Sequence, residues 1–405
     1  MCEYKLNTPI YFKYICTQRG VWGDMGLCLP ISFFKSFLAQ LLSSFLIVLG
    51  DTKQLKKGVY TMACYHPLKG FKIGINPNTG KDKLKIVSYK TDHIELRSDG
   101  KYYPVEYPEL STIDRNYTDF VDIPCGRCIG CRLSRSKQWA DRAVLELQYH
   151  AYNYFITLTY SDDFVPSSEF VDKDSGEVGE ALTLCKKDLQ DYIKRLRRHF
   201  EPAKCRHLSV GEYGSETLRP HYHQILFSDF EIPDLKFYGF SNNGDTLYES
   251  QILDSIWKKG KVWIGEATWE SIAYVARYVN KKLYGAEAEY YKIFNIVPEF
   301  LTCSLKPAIG RMYYEDHKEE LFSRSQYFFP RNNGVGSAYP SRYFNNLFEV
   351  DFDHDDVEHR KTALKAQFEA RKELKLENTS KTYLDYLEDE EYNKKCQIKK
   401  LQRDL

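Results

Sequence analysis

Two histidines stand two residues apart in Arg219-Pro220-His221-Tyr222-His223-Gln224-Ile225-Leu226-Phe227. The apolar run that follows reads as a strand, and residues two apart on a strand point to one face. His221 and His223 can therefore offer two imidazoles to one metal ion, with Tyr222 on the opposite face. Glu212, at the end of the strand-like run 207–213, is the candidate for a third, oxygen ligand. The Gly-Glu-Tyr-Gly around it reads as a tight, strained turn. Two imidazoles and a carboxylate with open positions suit Mg²⁺ or Mn²⁺ acting on a phosphate. Taken alone, a His-x-His pair is more often structural than metal-binding.

Residues 269–283 carry a second constellation. At about 100° per residue, Trp269, Ile272, Ala276, Val279 and Leu283 share one apolar face. Tyr274, Tyr278 and Lys281 share nearly the opposite one, so the tyrosines are expected off the core side. Two hydroxyls one turn apart can take turns at a single phosphate. A phenol with an ordinary pKa of about 10 needs help to act as a nucleophile. Arg277 and Lys281 stand beside the pair, to favour the phenolate or to hold the phosphate. The competing reading is a pair of buried aromatics on a helix covered on both sides.

Cys125, Cys128 and Cys131 follow C-x₂-C-x₂-C spacing, and Cys64 could supply a fourth thiolate to a structural Zn²⁺. A ferredoxin-type cluster would need a further cysteine where Arg135 stands. The alternative is a set of ordinary thiols beside a basic helix. Arg127, Arg132, Arg135 and Lys137 could meet DNA in either case.

The elements that must position these groups are legible in outline. Composition (43% hydrophobic, 15% aromatic) suits a globular core, and 405 residues suit one large domain or two ordinary ones. The net charge of +1 selects no partner, so nucleic-acid binding must rest on local clusters. Eleven cysteines, scattered over a long chain, suit a reducing cytoplasm. Residues 62–122 read as strands and turns, 132–150 as a helix, 155–160 (FITLTY) as a strand and 161–182 as a polar loop. Thr183 is expected to cap a helix to Phe200, with Leu189, Tyr192, Ile193, Leu196 and Phe200 inward. Its other faces carry Lys186, Lys187, Lys194, Arg195, Arg197 and Arg198, a solvated surface or a phosphate-contacting one. Residues 300–350 show little periodicity, and the charged stretch from Val357 reads as a peripheral helix or a partly disordered tail. Ser36–Gly50 is nearly all apolar but, at about 15 residues, short of a bilayer span. A signal-like segment and a buried helix compete there with a start of translation at Met62, which is the preferred reading.

FITLTY, RPHYHQILF and YVARYVNKK occur in that order. They resemble the three motifs of the HUH endonuclease superfamily of rolling-circle replication initiators, in its two-tyrosine branch. The chain is most similar to the initiators of small single-stranded DNA phages, the microviruses, and gokushoviruses in particular. MACYHPLKG from Met62, PCGRCIGCRLSRSKQWADR at 124–142 and the KPAIGR to SRY stretch at 306–343 extend the resemblance over about residues 62–350. It implies an α+β fold, a central antiparallel sheet with flanking helices, over 62–350. This unit would include a cysteine-containing subregion at 62–150, follow an extension at 1–61 and precede a charged helical tail at 351–405. It implies a metal held by His221 and His223, attack by Tyr274 or Tyr278, a 5′-phosphotyrosine link and later strand joining. Its partners would be single-stranded DNA at the origin and host helicase and polymerase, in the host cytoplasm, with no stable membrane partner. The basic residues expected to meet DNA are Arg195, Arg198, Arg277 and Lys282. Two other readings remain: a DNA-binding protein without catalysis, which would need neither the His pair nor the tyrosine face, and another HUH enzyme such as a plasmid initiator or relaxase. No phosphate loop of a helicase is present in the sequence.

Overall fold

The computed structural model describes residues 64–403, apart from 79, 107–114, 174, 215, 242–243, 279–282, 284, 324–325 and 332–333. The apolar stretch 36–50, Met62, Lys281 and Lys282 lie outside the described residues. Among the described residues, no helix is long and apolar enough to cross a membrane.

The strand-and-turn stretch forms β1 (Leu68–Ile75), β2 (Asp82–Ser88), β3 (His93–Leu96), β4 (Tyr102–Val105), β5 (Arg115–Tyr117) and β6 (Phe120–Ile123). They make two antiparallel sheets, ordered β2-β1-β6 and β4-β3-β5. Helix α1 (Ile129–Leu147) starts before the expected Arg132, because Cys128 caps it by accepting from the Cys131 amide. Next come β7 (Tyr152–Thr159), β8 (Ser167–Val171), β9 (Val178–Leu182), α2 (Lys186–His199), β10 (Cys205–Tyr213) and β11 (Pro220–Ser228). The chain continues through β12 (Lys236–Phe240), β13 (Thr246–Glu249), α3 (Gln251–Trp257), β14 (Val262–Glu266), α4 (Trp269–Tyr278), α5 (Glu289–Ile293) and β15 (Phe300–Cys303). It closes with α6 (Arg311–Ser323), β16 (Tyr327–Arg331), β17 (Gly334–Ala338), α7 (Arg342–Asp351), α8 (His354–Leu376) and α9 (Tyr383–Arg403).

The central sheet is antiparallel throughout, in the order β12-β13-β14-β7-β11-β10-β15. Alternation along its strands builds a core on each face. Tyr154, Ile156, Leu158, Tyr222 and Leu226 pack with Leu189, Tyr192 and Leu196 of α2 and Trp257 of α3. Leu208, Val210, Ile225 and Phe227 pack on the other face with Ala140, Ala143 and Val144 of α1 and Ile272, Val275 and Ala276 of α4. The buried carboxylate of Glu146 ties α1 to this layer: it pairs with Arg206 and accepts from Gly310 N at 2.6 Å. The Arg142 guanidinium donates to the Ile309 carbonyl at 2.7 Å. The KPAIGR stretch is thus an anchor for α1.

Several expectations need correction. The polar loop 161–182 contains the β8–β9 hairpin, whose short polar strands give no strong alternation. Helix α2 begins after Cys185, and Thr183 instead accepts from Val297 N at 3.0 Å. Residues 300–350 are mostly helix and strand, because their burial is set by tertiary packing rather than by one periodic face. The charged tail is docked on the N-terminal sheets. Glu391 meets His66 at 2.9 Å, Lys372 reaches the Tyr89 hydroxyl at 3.2 Å, and Leu387 is buried.

Candidate metal and tyrosine site

The hairpin register builds the site. Glu212 pairs directly with His221 across β10 and β11, and Val210 pairs with His223. Residues 221, 223 and 212 share the face toward α4, because the strand period is two. Glu212 lies within continuous strand rather than in a strained turn; the turn starts at Gly214. Glu212 Oε1 stands 2.7 Å from His221 Nε2 and 3.1 Å from His223 Nε2. The ligating atoms of the three side chains all lie within 4.8 Å of one another.

The outer partners of the rings orient those nitrogens toward a cation. His221 Nδ1 faces the Arg219 carbonyl at 3.2 Å, an atom that only accepts, so Nδ1 carries a proton. In the neutral ring Nε2 then aims a lone pair at a carboxylate oxygen, an arrangement that requires a second proton or a cation. His223 Nδ1 meets Thr157 Oγ1 at 2.9 Å, which fixes that ring as well. Burial opposes ionisation of Glu212, but the two imidazoles that hydrogen-bond it prevail and hold its carboxyl down to about 2. A buried anion with two imidazole nitrogens is a donor set for a divalent cation. Tyr222 faces the other way, as expected. Its hydroxyl meets that of Tyr160 at 2.9 Å and exchanges bonds with the Cys185 backbone at the start of α2.

The tyrosines come to this site from above. Tyr278 stacks on the His223 ring at 5.2 Å between centroids, and Tyr274 meets it edge-on at 5.4 Å. The two phenol rings are 4.7 Å apart. The helical wheel placed both tyrosines off the core; the structure buries one. Tyr278 is only 7% exposed, Tyr274 38%, because α4 is covered by α1 on one flank and by the sheet on the other. Burial, followed by the charge of Glu212 and a hydrogen bond with Tyr274, pushes the Tyr278 phenol well above its ordinary value.

The basic residues divide. Arg195 is engaged in structure, donating to the Ile256 and Trp257 carbonyls at 2.7 and 3.1 Å, so α2 does not present it freely. Arg198 and Arg277 are exposed, and the Arg277 guanidinium lies 5.8 Å from the Tyr274 ring centre. The sequence reading assigned nothing to Thr157 or to Phe155, whose ring stacks near-parallel on His223 at 5.5 Å. Their signal was present: in FITLTY they alternate on one face, and Thr157 pairs with His223 in register. Cys64, Cys125, Cys128 and Cys131 also come together, with their sulfurs within 4.8 Å of one another.

An antiparallel sheet that carries a His-x-His strand and a carboxylate beneath a two-tyrosine helix defines the HUH class of replication protein. The family model of the replication-associated protein ORF2 matches residues 153–283, from β7 to just past α4. The chain is 31% identical over 303 residues to the replication-associated protein ORF2 of Spiroplasma virus 4, covering 72% of this chain and 88% of that one. It is 32% identical over 231 residues to the replication-associated protein VP4 of Bdellovibrio phage phiMH2K, covering 56% and 67%. The replication-associated protein ORF4 of Chlamydia phage 1 is 31% identical over 234 residues, covering 56% and 53%. No solved structure gives a significant match. The chain belongs to the family of these phage replication-associated proteins.

Proposed function

We propose that this protein initiates rolling-circle replication as a metal-dependent, site-specific nickase and strand-joining enzyme. The observation that carries the reading is the placement of two tyrosine rings against the imidazole of His223, whose Nε2 converges with the ligating atoms of Glu212 and His221. DNA binding alone would require no such arrangement. Glu212, His221 and His223 would hold Mg²⁺ or Mn²⁺, which polarises the scissile phosphate and offsets its developing charge.

A phenol oxygen attacks the phosphorus, and the P–O3′ bond breaks. The products are a 5′-phosphotyrosine ester and a free 3′-hydroxyl, which takes up a proton. One ester replaces another, so nicking needs no nucleotide triphosphate. Tyr274 is the hydroxyl an incoming strand meets first, since it is exposed and Tyr278 is covered. Arg277 stands beside it to hold the phosphate, and Lys281, Lys282 and Arg198 are the further basic residues assigned to DNA. Tyr278 serves the second cleavage, after which the released 3′-hydroxyl displaces the first tyrosine and closes a circle. Host polymerase and helicase act between the two cleavages, in the host cytoplasm. The catalytic unit is residues 62–350, with 351–405 as a brace.

The test is a labelled single-stranded oligonucleotide carrying the replication origin, incubated with protein and Mn²⁺, with or without chelator. A denaturant-stable adduct should form only with metal, survive in at least one of Tyr274→Phe and Tyr278→Phe, and vanish in the double variant. Tight binding with no adduct would overturn catalysis in favour of binding alone.

A further inference from the structure

We propose that Cys64, Cys125, Cys128 and Cys131 form a structural tetrathiolate zinc site that fastens the N-terminal sheets to helix α1. Strand pairing dictates the meeting of the first two. β1 and β6 are antiparallel and Leu68 is the partner of Ile123, so the residues just before β1 and just after β6 emerge at the same sheet end. Cys128 is the N-cap of α1 and Cys131 lies in its first turn.

The sulfur geometry fits a metal. A zinc ion with arms of about 2.3 Å sets tetrahedral edges of about 3.8 Å. Cys125 and Cys131 Sγ lie 4.0 Å apart, and all four sulfurs lie within 4.8 Å of one another. A disulfide would bring two of them to about 2 Å, and all four cysteines are free. An iron–sulfur cluster has no room among sulfurs so close.

The backbone treats these sulfurs as anions. Cys64 Sγ accepts from Cys125 N at 3.2 Å. Cys125 Sγ accepts from Arg127 N and Cys128 N at 3.5 and 3.4 Å. Cys128 Sγ accepts from Tyr65 N and Cys131 N at 3.3 and 3.4 Å. Amides aimed at sulfur favour thiolate over thiol. The turn that allows this pattern has Gly126 at φ +74°, with its carbonyl held by Arg135 at 3.1 Å. Cys64, Cys128 and Cys131 are buried in a small cluster of their own, apart from the two main cores. With the sheet end fixed to α1, the metal would also fix the helix that carries Glu146 and flanks α4.

The test is elemental analysis of the full chain, purified without added metal, followed by cobalt exchange. One zinc per chain is expected, and cobalt should give the thiolate-to-metal charge-transfer absorption of a tetrahedral sulfur site. The paired substitution His221→Ala with His223→Ala should keep the zinc, whereas Cys128→Ser with Cys131→Ser should lose it. Should the cysteine variant fail to fold, thiol titration of the wild type decides. Four thiols should be protected until zinc is removed, and the melting temperature should fall on removal. Zinc absent, iron in its place, no sulfur charge-transfer band, or zinc lost with the histidines would each overturn the proposal. None of these readouts depends on nicking.

Discussion

Glu212→Gln keeps the shape of the buried side chain and removes its charge. The wild-type carboxyl is held at about 2 against an ordinary 4.5, because two imidazole hydrogen bonds outweigh burial. At 1.36 kcal/mol per pKa unit, that difference is worth at most about 3 kcal/mol. A carboxyl with a depressed folded pKa contributes this fully above about 4.5 and loses it as pH falls through about 2. At pH 7.5 the whole contribution is present in the wild type, so metal-free Glu212→Gln should melt lower, by up to roughly 10 °C at about 2–4 °C per kcal/mol. The metal response should change more tellingly. Mn²⁺ at a hundred times its Kd should stabilise the wild type by about 2.7 kcal/mol, a rise of roughly 5–10 °C. Loss of even an outer partner of a metal ligand weakens binding about 10–100-fold, and loss of a direct ligand should do at least as much. At a hundredfold, the same Mn²⁺ concentration only equals Kd and the gain shrinks to about 0.4 kcal/mol, a shift of about 1 °C. The assay is thermal unfolding of both proteins with chelator and with a Mn²⁺ titration. An equal Mn²⁺ shift in the two proteins would refute the carboxylate as a ligand.

Three further outcomes are expected. Thr157→Val removes the partner of His223 Nδ1 and should lower Mn²⁺ affinity about 10–100-fold with the fold intact, read by Mn²⁺ titration of adduct formation; an unchanged titration would mean Thr157 does not orient the ring. Glu146→Ala strands Arg206 and the Gly310 amide in the core and should destabilise by about 3–5 kcal/mol in urea unfolding; a loss below about 1 kcal/mol would refute the anchor. Burial, aided by the charge of Arg197, pushes the His207 imidazole down to about 4, so about 3 kcal/mol of stability should vanish as pH falls from about 6.5 to about 4. His207→Gln should flatten that part of the urea-midpoint profile, and an unaltered profile would remove His207 as its source.

The sequence by itself determined the parts that depend on local spacing. His221 and His223 share a face because a strand repeats every two residues, and FITLTY, RPHYHQILF and the 205–213 run are strands by composition. Helix α2 was legible because Leu189, Tyr192, Ile193 and Leu196 repeat at helical spacing and are buried. Glu212 could be proposed from its distance along a hairpin, but only the register, in which it pairs with His221, brings its oxygen between the two imidazoles. Other properties had no local signature. The wheel of α4 set the tyrosines apart from an apolar stripe; it could not say that the opposite flank would meet the sheet, so that Tyr278 is buried and Tyr274 remains open. Arg195 looked like its basic neighbours until packing gave its guanidinium two carbonyls at the end of α3. The charged tail offered no continuous apolar face, and single contacts such as Glu391 with His66 dock it. Periodicity reports which residues on one element share a side. Which element covers that side, and which charges find partners there, is decided by long-range packing between segments whose spacing along the chain carries no record of it.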